Sequence, residues 1–588
     1  MHLKIAKLAL KAGLTTKKAS QFIFLFGITT FTVLASSSGK EGNEVQARRS
    51  AGTERPNIVM IVADDMGYAD LGVYGSEIET TTIDSIAKEG VVLTNFHTGP
   101  SCSPTRSQLL TGVDNHHAGL GNMFEKLSPN QKGKPGYEGV LNDRVVTLPS
   151  LLRDSGYNTY MAGKWHLGGT PNEETGENDG FDPSERGFQE VFTMLEGGGD
   201  HHSMRGFSPF IPVNVFRKNG KDVTSLPDDF YSTTFFTDQM MEYIETNRRD
   251  GKPFFAYLAY SAPHSPYQAP DEYIQKYLKT YEAGWDKVRA QRFQRMKQLG
   301  IIPKYIELPE RWEEAPSWDS LGAEKQKISA KKMAIYAAMI DFMDDEIARF
   351  IKYLKDVGEY DNTIFVFLTD NGADGHNREE DETYEKWFVE EGIDNGYENM
   401  GRPNSFVTRN VGWAQVSATP HYAEKATHGE GSLTGAFFFK YTGVTGSGTN
   451  GAFTSVRDVT PTLLEYAGVH HPGSSYKGKT IFPMVGKSMR PLLEGWGERI
   501  YAKDEPIPFE TFGTGDAALY LGDWKVVRLL PPWGNGTWKL YNLEIDPTES
   551  TDLSRIYPRL YETMIAEYKK YEKEVGVVPA DPAKYPRN

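Results

Sequence analysis

Asn57-Ile-Val-Met-Ile-Val-Ala63 runs without a polar interruption into Asp64-Asp65. The run is short, continuously apolar and rich in β-branched residues, which suits a strand buried on both faces. Two further runs repeat the pattern. Phe254-Phe-Ala-Tyr-Leu-Ala-Tyr260 leads toward His264, and Thr363-Ile-Phe-Val-Phe-Leu-Thr369 leads into Asp370-Asn371. Helical patterns lie between them: Met339, Met343, Ile347, Phe350 and Leu354 recur at three- and four-residue spacing and form one apolar stripe before Gly358. Strands alternating with helices predict an α/β fold, with a large, mostly parallel sheet between helices. In such sheets ligands collect beyond the carboxyl ends of the strands, which is where all three polar clusters fall.

Composition sets the outer bounds. The 588 residues are 39% hydrophobic and 12% aromatic, enough for a large core and too long for one ordinary domain. Lys4, Lys7, Lys11, Lys17 and Lys18 precede an apolar stretch from Phe22 to Ala35 and then Ser36-Ser37-Ser38-Gly39, so residues 1–50 read as an export segment and leader. This implies a secreted or periplasmic protein, with an uncleaved membrane anchor as the alternative. Residues 51–509 are expected to form the main domain. Within it, the Lys-, Arg-, Glu- and Trp-rich stretch near 271–330 reads as a helical, solvated surface excursion rather than a lid. Residues 510–588 hold short strand patterns at Ala517–Val527 and Thr537–Tyr541 and a charged helical segment from Pro558 to Glu574, predicting a smaller C-terminal α+β domain. The net charge of −15 excludes broad attraction to nucleic acid, and any anionic ligand would need a local cluster of cations.

Cys102 is the sole cysteine, so it closes no internal disulfide. It stands in Ser101-Cys-Ser-Pro-Thr-Arg-Ser-Gln-Leu-Leu-Thr-Gly112. Pro104 suits a first helical turn, which places Cys102 at about the N-cap, and Arg106 adds a planar fork suited to two oxygens of one anion. Helix amides, an arginine and a reactive atom together describe an oxyanion site. Asp64-Asp65 alone is a weak signal, but with Asp370-Asn371 it forms a set of hard oxygen donors that selects calcium or magnesium over zinc. Gly163-Lys164-Trp165-His166-Leu167-Gly168 follows a strand pattern at Thr159 to Ala162 and carries a lysine and a histidine two residues apart.

These motifs resemble the type I sulfatases, whose signature Cys-x-Pro-x-Arg is met by Cys102, Pro104 and Arg106, with Thr111-Gly112 after it. The string GKWHLG, Lys134-Pro-Gly-Tyr-Glu-Gly139, Leu148-Pro-Ser-Leu-Leu152, Asp458-Val-Thr-Pro-Thr-Leu-Leu464 and Gly522-Asp-Trp-Lys525 extend the resemblance from Asn57 to about Val577, closest to bacterial-type arylsulfatases. It implies an alkaline-phosphatase-like sandwich and hydrolysis of aryl sulfates. It also implies oxidation of Cys102 to formylglycine (3-oxoalanine) by a formylglycine-generating enzyme. One hydroxyl of the aldehyde hydrate would attack sulfur, and collapse through the other would expel sulfate. The resemblance assigns calcium to Asp64, Asp65, Cys102, Asp370 and Asn371. It places Arg106 and Lys164 on the sulfate, makes His166 the base for sulfate release, and puts His264 and Lys425 on the leaving-group side. After Lys425 the family's Gly-Gly-Ile-Arg-Val-Pro type of string is replaced by Gly429-Glu-Gly-Ser-Leu-Thr-Gly435, which leaves Lys440 as a weaker candidate for the second lysine. His116 and His117 read as supporting or structural.

The implied enzyme is a monomeric, calcium-dependent sulfuric ester hydrolase acting on a small-molecule or glycan sulfate ester, with no nucleic-acid partner. Two alternatives stand beside it. A phosphonate or phosphate monoester hydrolase of the same superfamily usually carries histidine where this chain has Asn371, and a non-catalytic binder of sulfated glycans has no use for His166.

Overall fold

The computed structural model describes residues 55–171, 178–443 and 446–581. The predicted leader, residues 1–50, lies outside them. Ten strands form the central sheet, in the order Lys221–Asp222, Phe216–Lys218, Glu190–Met194, Asn158–Lys164, Phe254–Ala259, Asn57–Ala63, Thr363–Thr369, Phe437–Lys440, Val91–Leu93 and Gly448–Asn450. The five strands from Glu190–Met194 to Thr363–Thr369 are all parallel, and antiparallel pairs flank them on both sides. The three apolar runs are the centre of this sheet, with Asn57–Ala63 paired to both of the others.

Both faces of the sheet are covered. Along the Asn57–Ala63 strand, Val59, Ile61 and Ala63 enter one hydrophobic core while Ile58, Met60 and Val62 enter the other. This strict alternation into two apolar layers explains why the run reads as continuous rather than alternating. The 34-residue helix Ala323–Asp356 spans the first layer and buries Met339, Met343, Ile347, Phe350 and Leu354, the stripe expected of it. Helices Cys102–Thr111, Leu148–Asp154 and Val459–Ala467 cover the second.

The stretch near 271–330 departs from its reading as a solvated excursion. Its helices Asp271–Tyr281 and Trp285–Leu299 bury Ile274, Tyr277, Tyr281, Trp285, Val288, Phe293 and Met296 in the first core. Arg292 is wholly buried, forked onto Glu77 at 2.8 Å and bonded to Asp70. Charge-rich composition misled because the charges here either pair internally or lie on one outer face.

The C-terminal sheet runs antiparallel through Pro506–Glu510, Ala517–Leu521, Trp524–Arg528 and Trp538–Asn542, with helix Pro558–Val575 against it. It begins a few residues before the boundary at 510. Buried ion pairs join it to the main body: Lys525 lies 2.7 Å from Glu430 and 2.8 Å from Glu549, and Glu430 also takes hydrogen bonds from Tyr520 and His97.

Candidate active site

Strand register assembles the site. Ala63 pairs with Thr369, so the residues that follow, Asp64-Asp65 and Asp370-Asn371, leave adjacent parallel strands side by side. Gly163 pairs with Ala259 on the other flank, bringing Lys164 to the same edge and His264 just beyond it. Asp65 and His166 hold left-handed backbones, φ 61° and 56°, which non-glycine residues rarely adopt away from functional turns.

Helix Cys102–Thr111 is buried along its whole length and points its N-terminus at these carboxylates. Ser101 is the N-cap and Cys102 the first helical residue, so the helix begins one residue earlier than expected, with Pro104 still inside the first turn. Cys102 Sγ lies 3.5 Å from Asp64 and 3.8 Å from Asp65. Burial raises the thiol pKa well above its usual value, and Asp370 and Asp64 push it further, against the pull of Lys164 and Lys425. A neutral, buried thiol is a poor nucleophile, so the encoded cysteine is not itself equipped for attack.

Three cations balance three carboxylates around it. Lys164 donates to Asp64 at 2.6 Å, Lys425 to both oxygens of Asp65 at 2.6 and 2.7 Å, and Arg106 to Asp370 through Nε at 3.0 Å, with its terminal nitrogen 2.9 Å from the same carboxylate. The cations that an anionic ligand would need are gathered here, each paired with a carboxylate. Burial and the neighbouring Asp64 and Asp65 raise the Asp370 carboxyl above its usual range, although Arg106 and Lys164 oppose the shift. Two backbone bonds position Lys425 beside the cluster: its amide bonds to the Ala373 carbonyl and the next amide to that of Pro100. Lys440 is not in the site; it lies over the Tyr360 ring, 3.8 Å from its centroid.

The donor set fits a hard dication. Ligand atoms of Asp64, Asp65, Cys102 and Asp370 lie within 4.8 Å of one another. Asn371 donates to Asp65 at 2.7 Å, but its carbonyl oxygen is buried with no hydrogen-bond partner among the described residues. A buried acceptor beside three clustered carboxylates is a ligand position for an oxygen-seeking cation.

His264 has its Nδ1 2.6 Å from the Ser265 carbonyl and its Nε2 3.4 Å from Asp65. Burial, together with Lys425, Lys164 and Arg378, lowers its pKa to about 3 against the pull of Asp65, so the neutral ring donates from Nδ1 to the carbonyl. Burial lowers the Lys425 pKa, but Asp65, Cys102, Asp374 and Asp64 raise it well above the usual value. His116 is structural, clamped between Asp114 and Glu510, and His117 stacks on Phe482.

A cavity of about 480 Å³ opens above Cys102. Met123, Phe207, Phe210 and Ile211 give it an apolar wall, and Lys126, His376 and Arg378 a cationic one. Sequence reasoning missed Glu125, Asp374 and the run Gly197-Gly198-Gly199. A Cβ on Gly197 would come within 2.7 Å of the His166 ring and one on Gly198 within 2.6 Å of the His264 ring. The glycine run after the Glu190–Met194 strand was the available signal, since it lies at the carboxyl edge where backbone must pass close to catalytic rings.

A parallel sheet with an anion-binding helix N-terminus and a carboxylate cluster at its carboxyl edge defines a hydrolase of charged esters. The family model for sulfatases matches residues 56–469, and the chain belongs to the sulfatase family. An uncharacterized sulfatase of Schizosaccharomyces pombe is 39% identical over 546 residues, covering 90% of this chain and 96% of that protein. An arylsulfatase of Klebsiella aerogenes is 41% identical over 453 residues, covering 75% and 92%. The fold is shared with solved structures such as Ps i-CgsB in complex with a neocarrahexaose, at TM-score 0.63 and 24% identity, covering 90% of this chain and 96% of that one. The chain is therefore a sulfuric ester hydrolase.

Proposed function

We propose that the chain hydrolyses aryl sulfates, using calcium and a formylglycine made from Cys102. The reading rests above all on one observation: the buried, unpartnered Asn371 oxygen beside Asp64, Asp65 and Asp370, with Cys102 against them at a helix N-terminus. Those four residues would hold calcium, which when bound polarises a sulfate oxygen and offsets negative charge. Once matured, position 102 would supply one hydroxyl for attack and a second for release of sulfate.

The remaining side chains divide the work. Arg106 and Lys164 orient the anion and Lys425 offsets charge on the departing oxygen, with His264 packed beside it. His166 accepts a proton in the half of the reaction that frees sulfate. The arylsulfatase of Klebsiella aerogenes and the apolar wall of Met123, Phe207, Phe210 and Ile211 favour an aromatic leaving group. Maturation by a formylglycine-generating enzyme, a monomeric state and export complete the proposal. Asn371, in place of the histidine of the phosphatase branch, supports sulfate over phosphate.

Chelation followed by metal addition tests the reading. Calcium should restore aryl sulfate turnover, and Asp65→Ala or Asp370→Ala should lower it by orders of magnitude. Restoration by zinc and not by calcium would place the chain with the phosphate hydrolases.

A further inference from the structure

Glu125 occupies the short turn Phe124–Lys126 and shares the cavity wall with His166 and Cys102. Its Oε1 lies 3.2 Å from His166 Nε2, with Oε2 at 3.5 Å. The Glu125 side chain is 18% exposed and that of His166 10%, so the pair is largely shielded from water. The other ring nitrogen, Nδ1, is buried and has no hydrogen-bond partner among the described residues. The backbone that carries the ring is anchored: the His166 amide bonds to the Leu195 carbonyl at 3.0 Å and the preceding amide to that of Met194 at 2.9 Å, and the bare backbone of Gly197 lies beside the ring.

A neutral imidazole carries one N–H, and a carboxylate can only accept. The contact therefore fixes the proton on Nε2 and leaves the lone pair on Nδ1, the atom with no partner. We propose that Glu125 is the positioning residue of His166: its carboxylate selects the tautomer with a bare Nδ1 and stabilises the imidazolium formed when Nδ1 takes a proton from the group at position 102. The step is a proton transfer alone; the N–H bond forms at Nδ1 as the O–H bond breaks, and Nε2–H stays on Glu125. The carboxyl supports this role. Burial raises its pKa, while charge on His166 and the hydrogen bond from it lower it, to about 2. The same logic orients imidazoles in hydrolytic triads and in metal-bound histidines.

The inference rests on the sulfatase reading for its kinetic consequence but not for its tautomer. The first readout is nitrogen-15 spectra of histidine-labelled protein carrying the encoded cysteine, with His166 assigned by its loss in His166→Gln. The wild type should show a protonated Nε2 and a bare Nδ1, and Glu125→Ala should show a mixture. An unchanged tautomer in Glu125→Ala would overturn the proposal. The second readout is steady-state kinetics of the matured enzyme on an activated aryl sulfate. His166 acts after the phenol has left, so kcat and KM should fall together, about 100-fold for Glu125→Ala and about 10-fold for the isosteric Glu125→Gln, leaving kcat/KM within about threefold. Loss of kcat/KM in the folded Glu125→Gln variant would show Glu125 acting in binding or structure instead. A wild-type enzyme inactive on aryl sulfates would defeat the sulfatase reading while leaving the tautomer result to decide this one.

Discussion

At the scale of single residues, the division of labour among the cations and imidazoles has a kinetic signature. On the proposed reading Lys425 and His264 attend the leaving group, with Lys425 held charged beside Asp65 and His264 Nδ1 engaged by the Ser265 carbonyl. Lys425→Ala should therefore harm poor leaving groups far more than good ones, with His264→Ala a weaker version of the same pattern. His166→Ala should slow every substrate to a similar turnover, because sulfate release no longer depends on the alcohol that has gone. Turnover across aryl sulfates of graded phenol pKa checks this, and equal dependence in the Lys425 and His166 variants would refute it. Most of these residues were legible because they sit in contiguous strings: Cys102 to Arg106, Lys164 to His166, Asp370-Asn371. Glu125 was not. Its role comes from a contact across 41 residues, and a lone glutamate in a turn looks like any solvated acid.

Among the elements, the turn after helix Cys102–Thr111 is tied to the Pro506–Glu510 strand through His116 and Asn115. His116 is buried, with Nδ1 3.2 Å from Asp114 and Nε2 2.7 Å from Glu510, while Tyr571 of the C-terminal helix donates to Asp114 at 2.9 Å. Against the lowering effect of burial, these two carboxylates raise the His116 pKa to about 9. A folded-state pKa above the unfolded value of about 6.5 means stabilisation that is complete below pH 6.5 and is lost as pH rises through 9. The shift corresponds to about 3 kcal/mol at most. The melting temperature should thus fall between pH 6.5 and 9, and His116→Gln should melt lower at pH 6 with most of that dependence gone. A variant that keeps the wild-type slope would show that other groups set it. The three central strands were readable because their flanking polar residues marked their ends. The helices at Asp271–Tyr281 and Trp285–Leu299 were misread because composition does not reveal that Arg292 is matched internally by Glu77 and Asp70.

Over the whole molecule, the architecture brings two kinds of support to one edge. The parallel sheet supplies Asp64, Asp370 and Lys164 from neighbouring strands, and the antiparallel C-terminal sheet braces the segment that carries Lys425. Lys525, Glu549 and Tyr520 grip Glu430, five residues beyond Lys425, through contacts buried from solvent. Within a chain of net charge −15, Arg106, Lys164 and Lys425 converge on the carboxylates around Cys102, and Lys425 lines the cavity beside it. The central claim is that position 102 becomes an aldehyde that does the chemistry. Mass spectrometry of the peptide containing Cys102, taken from active enzyme, tests it most directly. The account predicts a formylglycine mass, lighter than cysteine, in the active fraction and a folded, inactive Cys102→Ala variant; an active enzyme carrying only unmodified cysteine would contradict it.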